Sequence, residues 1–472
     1  MFKIRFLLEV VLFLAKGIFE VFRSVRNMDE LEERVQRLVQ QAGGKMLEEA
    51  LAHIDLELSG KRDPALKNVG QRSRTLVTSF GEITVKRRLY RNQKTGAYRF
   101  LLDEALGIPE RQRVTPRMTR MILELGTEMP FRRAARVMGF LVPGIHWMTV
   151  WSKVQDAGEK AARDAEALRE AVFEDGVVPE GGKEVRELSI EADGVVIPLQ
   201  RSPKAFGEIK LFIGYEGREQ KTRKLVNRYT VATARGSRVA WEDTGAAFGH
   251  KWDLSRVERI RIGGDGAEWI KQGLEMFPGA TYHLDPFHLR RRLTEALSYS
   301  SNVYETVTEG LAELNQDAVV SALDQAIRVN RGARRNGIMR LKEYLLANWQ
   351  GIAALPEGDR LGAIEGQVRH TIARRTKRIG ARWSPAGAER MGRLLAVRAN
   401  DELDRYVVHS EPRFDLLKKA VGAEAIQLPK RFGKDPEAWL QANVPALEGP
   451  HAGKHWVKHI VREISSPRWS TV

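Results

Sequence analysis

The chain of 472 residues contains no cysteine. That absence removes disulfides, thiolate metal ligands and cysteine nucleophiles from its chemistry. Also missing is an apolar run long enough to span a bilayer. The stretch MFKIRFLLEVVLFLAKGIFEVFR comes nearest, but Arg5, Glu9, Lys16 and Glu20 interrupt it and no small-residue cleavage site follows. A spanning helix needs about 20 predominantly apolar residues. The stretch therefore reads as an amphipathic helix packing on the protein or on a second subunit, with a helix lying on a membrane surface as the alternative, and no membrane partner is expected. No internal repeat or low-complexity tract stands out. Acidic residues are in deficit, 61 against 77 Lys and Arg, for a formal net charge of +16. An excess of that size predicts a polyanionic partner, nucleic acid before membrane surface.

What is present is enough apolar residue, 43%, to bury real cores. The length fits two to four domains at roughly 100–200 residues each. Residues 1–60 read as N-terminal amphipathic helices. RSRTLVTSFGEITVKRRLYRN (72–92) alternates apolar and polar residues around Phe80-Gly81, a hairpin signal, and carries Arg72, Arg74, Lys86, Arg87, Arg88 and Arg91. FRRAARVM (131–138), a Gly-containing turn and IHWMTVWSKVQ (145–155) have the pattern of a helix-turn-helix, whose second helix can enter a major groove. An ordinary αα-hairpin has the same pattern. A charge-mixed helical linker (156–184) ends in EDGVVPEGGKE. Residues 61–180 are thus expected to be a DNA-binding region, with Arg87, Arg88, Arg132 and Arg133 on phosphates.

The texture then changes. Strands are expected at 186–201, 207–217, 228–236, 257–266 and 280–287, with helices at 239–254 and 267–277. Residues 289–360 read as helices throughout. Three strands, helix, strand, helix, strand is an α/β layout with a mixed sheet. Two of these strands deliver an acid beside glycine: EADGV at Asp193 and GGDGA at Asp265. Glycines leave no bulky neighbour to block what binds there. Two carboxylates converging on one sheet edge repel unless a cation lies between them, and Mg²⁺ suits such oxygen ligands. A plain β-to-helix turn capped by Asp265 is the alternative. A third acid is available in GAIEGQVRHTIARRTKRIG. There Glu365 opens a helix that carries Arg369, Arg374, Arg375, Lys377 and Arg378, a face suited to backbone phosphates. The alternative is a surface Glu on a basic helix. His283 and His288 flank Asp285, but without cysteine or a second His pair they do not make a zinc site. His288 either touches DNA or supports the metal-site carboxylates; a structural bond to backbone is the alternative. Glu268 is a candidate outer acid of the site, and Trp269 a core residue. His370 is given no role.

Taken together, EADGVVIPLQ, EIKLFIGYEG, GDGAEWIKQG, YHLDPFHLRR and GAIEGQVRHTIARRTKRIGARWSPAGAERM, spanning about 191–391, resemble the DDE transposases of the ISLre-type insertion sequences. More distantly they resemble Mutator-type transposases. The resemblance implies an RNase H-like mixed-sheet catalytic core over 181–288. An all-helical insertion at 289–364 would follow, then a catalytic helix at 365–400 completing the core and a basic C-terminal tail at 401–472. It implies Asp193, Asp265 and Glu365 as catalytic residues and metal ligands for Mg²⁺ or Mn²⁺, two ions in all. Asp285-Pro286-Phe287-His288 would match the Cys/Asp-x-x-His motif of Mutator-like enzymes, making Asp285 and His288 accessory residues. The implied activity is metal-dependent DNA strand cleavage at the ends of a bacterial insertion sequence, then transfer of the 3′-hydroxyl into target DNA. The implied partners are double-stranded terminal inverted repeats and target DNA, with a homodimer or higher oligomer acting on them in the cytoplasm, at the nucleoid. The alternatives are a domesticated or inactive transposase-derived DNA-binding protein, or another RNase H-like nuclease. Arg328, Arg331, Arg334, Arg335 and Arg340 form a basic cluster in the insertion. The insertion is expected to pack as its own small bundle and lay that cluster along DNA.

Overall fold

The computed structural model describes residues 4–142, 144–354, 361–377 and 380–407, together with residues 412, 413, 415, 416 and 418. Arg378 and most of the expected basic tail lie outside the described residues. In chain order the structure has helices α1 (Ile4–Ser24) and α2 (Met28–Gly60), hairpin strands β1 (Leu66–Thr78) and β2 (Gly81–Asn92), and helices α3 (Pro116–Glu128), α4 (Phe131–Gly139) and α5 (Trp147–Phe173). Strands β3 (Glu187–Pro198), β4 (Phe206–Tyr215) and β5 (Tyr229–Thr233) follow, then α6 (Ser237–Lys251), β6 (Arg259–Gly264) and β7 (Thr281–Leu284). The remaining long helices are α7 (Pro286–Leu297), α8 (Ser301–Ala312), α9 (Gln316–Val329), α10 (Gly332–Ala347) and α11 (Pro385–Ala399). Among the described residues no helix is long and apolar enough to cross a membrane. The chain divides into two compact units: residues 1–45, 75–83 and 111–409 form one, and residues 46–74, 84–110 and 410–472 the other.

The first unit is a mixed α/β structure built on a five-stranded sheet in the order β7-β6-β3-β4-β5. Strands β3–β4 and β4–β5 pair antiparallel; β3–β6 and β6–β7 pair parallel. Strand β3, ELSIEADGVVIP, is central and buried on both faces from Leu188 to Ala192, which leaves Ser189 and Glu191 as buried polar residues. Leu188, Ile190 and Ala192 point to one side, with Phe212, Trp241, Phe248, Trp252 and Ile262. Val195 and Ile197 point to the other, with Ile209, Leu211, Ile213, Ile364, Met391 and Leu394. Burying each such aliphatic side chain contributes roughly 1.5–3 kcal/mol.

The insertion's helices pack on one another, α8 on α9, α9 on α10, and α7 on both α8 and α10. Val307 and Leu311 of α8, Leu323 of α9, and Ile338, Leu341 and Leu345 of α10 are continuous with the Leu188–Ile190 side of the sheet core. The bundle therefore shares one apolar core with that face of the sheet and is not set apart from it. The 156–184 stretch is likewise no linker for most of its length. Helix α5 runs on to Phe173, burying Val154, Ala157 and Ala161 beside α11 residues Ala388 and Met391. The expected helix at 267–277 is split into Glu268–Lys271 and Gly273–Met276.

The second unit holds a small core of Leu58, Leu66, Tyr90, Leu101 and Ala105. Its charges correct two expected DNA contacts. Arg87 is ion-paired to Asp103 and stacked 3.7 Å from the Phe100 ring centroid. Burial, with the neighbouring Arg74 charge, pushes its guanidinium down to about 10. Arg88 pairs with the buried Asp55 at 2.6 Å. Both are spent on internal carboxylates because the hairpin turns them inward. Lys67, Arg72, Lys86 and Arg91 are the exposed cations of the hairpin.

Candidate functional site

The site lies on the Val195–Ile197 side of the sheet, where β3 and β6 run side by side. Asp193 is carried by β3, paired across from Leu211 of β4. Asp265 follows the last residue of β6, and its Oδ1 accepts the Ala267 N–H at 2.9 Å. The turn-capping alternative therefore describes one of its oxygens. Asp285 follows the last residue of β7 and caps α7, accepting the Phe287 N–H at 3.2 Å, with Pro286 at the first helical position. That cap aims His288 inward, one turn along the helix. Its Nδ1 meets Asp285 Oδ2 at 2.6 Å. Glu365 sits in a helical stretch whose middle, Val368–Ala373, is π-helical, a distortion frequent at functional sites.

Ligand atoms of Asp193, His288 and Glu365 all lie within 4.8 Å of one another. Two of these were expected to converge. Asp265 is outside this tight group, although its charge acts on both Asp193 and His288. Burial pushes the Asp193 carboxyl up to about 6, reinforced by the negative charges of Asp265 and Glu365 and opposed by the Gly194 N–H and by His288. The hydrogen bond that His288 donates to Asp285 raises its imidazole above the usual range against the pull of burial. Two acids and an imidazole whose far side is held by a carboxylate form a fitting donor set for a divalent cation: the negative charge is in excess and one carboxylate is desolvated.

A carboxyl whose folded pKa lies above its unfolded value stabilises the fold at low pH, and that stability is lost as pH rises through the folded value. Between pH 4 and pH 6.5, Asp193 is therefore expected to cost the cation-free protein roughly 2–3 kcal/mol. Urea unfolding of Asp193→Asn beside the wild type should show that dependence disappear, and parallel pH profiles would contradict it.

Other expected residues fall elsewhere. Glu268 points to solvent with its side chain 85% exposed, its nearest cation Lys271 at 3.9 Å, and is not among the clustered ligand groups. Arg375 is buried, donates to the Gly126 carbonyl at 3.1 Å and stacks between Phe131 and Trp383. Burial pushes it down to about 10. It is a packing residue, not a phosphate contact. Arg374 pairs with Glu128 at 2.5 Å while remaining half exposed. Arg132, Arg133, Arg369 and Lys377 are exposed, and Arg132 lies over the Trp147 ring at 5.1 Å. His283 bonds Thr281 at 2.9 Å and takes no part in the cluster. Trp269 packs edge-on against Phe212 in the core.

Glycines around Asp265 serve packing rather than ligand access. A Cβ on Gly263 would meet Leu361 at 2.8 Å, and one on Gly264 would meet Ile270 at 2.6 Å. Gly266 is in the left-handed region at φ +94°, and a Cβ there would lie 2.9 Å from Asn348 Oδ1. The same end of α10 holds the turn from above, Tyr344 donating to the Asp265 carbonyl at 2.8 Å. Gly266→Ala is expected to cost about 1–3 kcal/mol, measurable by urea unfolding; a cost near zero would mean the turn relaxes freely.

One residue escaped the sequence reading. Glu191, two positions before Asp193, is 1% exposed. It accepts backbone N–H groups from Gly362, Ala363 and Ile364 at 2.8, 2.9 and 3.1 Å, and the Tyr215 hydroxyl at 2.5 Å. Its one signal was an acid on the same face of the strand as Asp193, by the two-residue period.

Fold and site together define a mixed-sheet α/β protein with an acid–imidazole cluster beside its central strands. The chain belongs to the uncharacterised protein family UPF0236, whose family model matches residues 23–412. It is 26% identical to the UPF0236 protein TTE2489 of Caldanaerobacter subterraneus subsp. tengcongensis, over 91% of this chain and 90% of the relative. A second protein of that organism, whose name joins eleven locus designations from TTE0033 to TTE2212, is 26% identical over 81% of this chain and 80% of its own. The UPF0236 protein in vanSb 3′region of Streptococcus gallolyticus is 27% identical over 84% of this chain and 88% of the relative.

Proposed function

We propose that the protein is a DDE-type transposase of the ISLre type, with an RNase H-like core that cuts DNA at element ends and joins the freed 3′-hydroxyl to target DNA. The observation that carries this reading is the cluster of Asp193, His288 and Glu365 within 4.8 Å, set beside a mixed sheet whose strands β3 and β6 lie side by side and lead to Asp193 and Asp265. The order of that sheet supports the RNase H-like assignment. The net charge of +16 supports a DNA substrate. A relative named for eleven loci of one organism suits a protein that moves its own gene.

In this reading Asp193, Glu365 and His288 hold Mg²⁺ or Mn²⁺, with Asp265 adding charge and a ligand for a second ion. A bound cation of this kind supplies Lewis-acid stabilisation of the phosphoryl oxygens and activates the attacking oxygen. Asp285 fixes the His288 ring by its bond to Nδ1, leaving Nε2 for the site. Arg369 and Lys377, exposed on the helical stretch after Glu365, track the backbone of the strand being cut. The test is nicking of element-end DNA by the full chain with Mn²⁺, with and without EDTA. Metal-dependent nicking supports the reading; nicking that survives EDTA, or none at all, opposes it.

The insertion supplies the outer part of the DNA track. Arg328, Arg331, Arg334, Arg335 and Arg340 are all exposed. Neutralising Arg331, Arg334 and Arg335 together is expected to weaken DNA binding. The slope of log affinity against log salt should become shallower by roughly 2–3, since each lost phosphate contact removes about 0.9. An unchanged slope would place this face in solvent.

A further inference from the structure

We propose that Glu191 is the positioning residue for Glu365: its buried carboxylate gathers the backbone N–H groups that open the Glu365 helix and so holds that acid against the strand carrying Asp193. This rests on the reading of Asp193, His288 and Glu365 as a cation site. Glu365 is the next residue after Ile364, the last of three consecutive N–H donors to Glu191 Oε2, at 2.8, 2.9 and 3.1 Å. Three successive amides can converge on one oxygen because Gly362 takes φ +122°, open to glycine and strained for other residues. The second oxygen is used as well, receiving Tyr215 Oη at 2.5 Å and Ala363 N–H at 3.1 Å. Burial and the Glu191 charge raise the Tyr215 phenol far above its usual range, so it stays protonated as a donor. Beside the latch, Leu361 fills the space left by Gly263 on β6, and Glu191 Cγ lies 3.3 Å from where a Gly263 Cβ would be.

The assembly therefore ties β3, β6 and the start of the Glu365 helix at one point. Glu191 and Asp193 share a strand and a face, so a shift in one end of the latch moves both acids of the cluster relative to each other. Charge-assisted bonds to helix-opening amides are among the stronger hydrogen bonds available. Nothing else among the described residues caps this helix start: Ala363 offers no side-chain cap. Glu191 does not touch the cluster's ligand atoms in this account; it acts through Glu365.

The experiment is a Mn²⁺ titration of the full chain by calorimetry, on wild type, Glu191→Ala, Glu365→Ala and the double variant. Glu191→Ala is expected to weaken Mn²⁺ by about 10–100-fold, the usual effect of losing an outer partner of a metal ligand. In the Glu365→Ala background the same change should do almost nothing, because the residue it positions is gone. Glu191→Gln, which keeps an acceptor oxygen but loses the charge, should recover part of the affinity. If Glu191→Ala does not fold, Glu191→Gln and Tyr215→Phe carry the same cycle. An equal loss in both backgrounds would mark a general structural role and overturn the inference. So would wild-type Mn²⁺ binding that Glu191→Ala leaves intact. Wild-type protein that binds no Mn²⁺ would overturn the cation-site reading, and the inference with it.

Discussion

Asp193→Asn and Glu365→Gln, each alone, are expected to lower Mn²⁺-dependent DNA cleavage on the order of a thousandfold, about 4 kcal/mol of transition-state stabilisation. DNA affinity should change little, because the exposed cations assigned to phosphates lie on other side chains. The expectation follows from the site's electrostatics. Asp193 is desolvated among Asp265 and Glu365 and is opposed chiefly by His288 and one backbone N–H. Its charge is costly to the folded protein unless a cation offsets it. Removing that charge relieves the fold while it removes a ligand, so lost cleavage with retained or raised stability is the signature. Glu268→Ala, whose side chain faces solvent, should leave cleavage within about twofold, as surface substitutions usually do. A comparable loss in Glu268→Ala, or full activity in Asp193→Asn, would mean that the reacting centre is elsewhere.

The largest stability effect is expected at Arg393. This guanidinium is buried on α11 between Asp243 and Glu389, bonding Glu389 Oε1 at 2.6 Å and Thr233 Oγ1 at 3.0 Å, and pairing with Asp243. Asp243 has a fully buried side chain. Removing this cation leaves Asp243 with Arg169 alone, at 3.3 Å, and leaves Glu389 with only the Thr233 hydroxyl and the Ala234 N–H, and such a break costs roughly 3–5 kcal/mol. Arg393→Ala should therefore unfold at markedly lower urea. Arg374→Ala, which breaks a half-exposed pair with Glu128, should cost no more than about 1 kcal/mol. If the two variants unfold together, the buried network is already offset by desolvation and contributes no net stability.

Much of the sheet was legible because its signals are local. Alternation and β-branched runs located all five strands within a few residues, and Asp-Gly pairs marked two acids, Asp265 just past the end of β6 and Asp193 inside β3 rather than at its end. His288 could be singled out because it lies three residues after Asp285, in the Asp-x-x-His pattern. What was not legible depends on partners distant in sequence. Arg87, Arg88 and Arg375 look like any phosphate-binding arginine until Asp103, Asp55 and the Gly126 carbonyl are placed beside them. The role of Glu191 needs the backbone of residues 362–364, which lies 171 or more positions away. The insertion's helices showed the apolar faces by which they pack on one another, but periodicity does not say that their core continues into that of the sheet. The same limit hid the continuation of α5 into the core.

The most direct measurement supplies the purified chain with a pre-cut element end bearing a labelled strand with a free 3′-hydroxyl, a supercoiled target plasmid and Mn²⁺ or Mg²⁺. The proposed activity predicts covalent joining of the label to plasmid DNA, dependent on the metal and lost in Asp193→Asn and Glu365→Gln. Plasmid nicks without joined label, or joined label that persists in those variants or in EDTA, would contradict it.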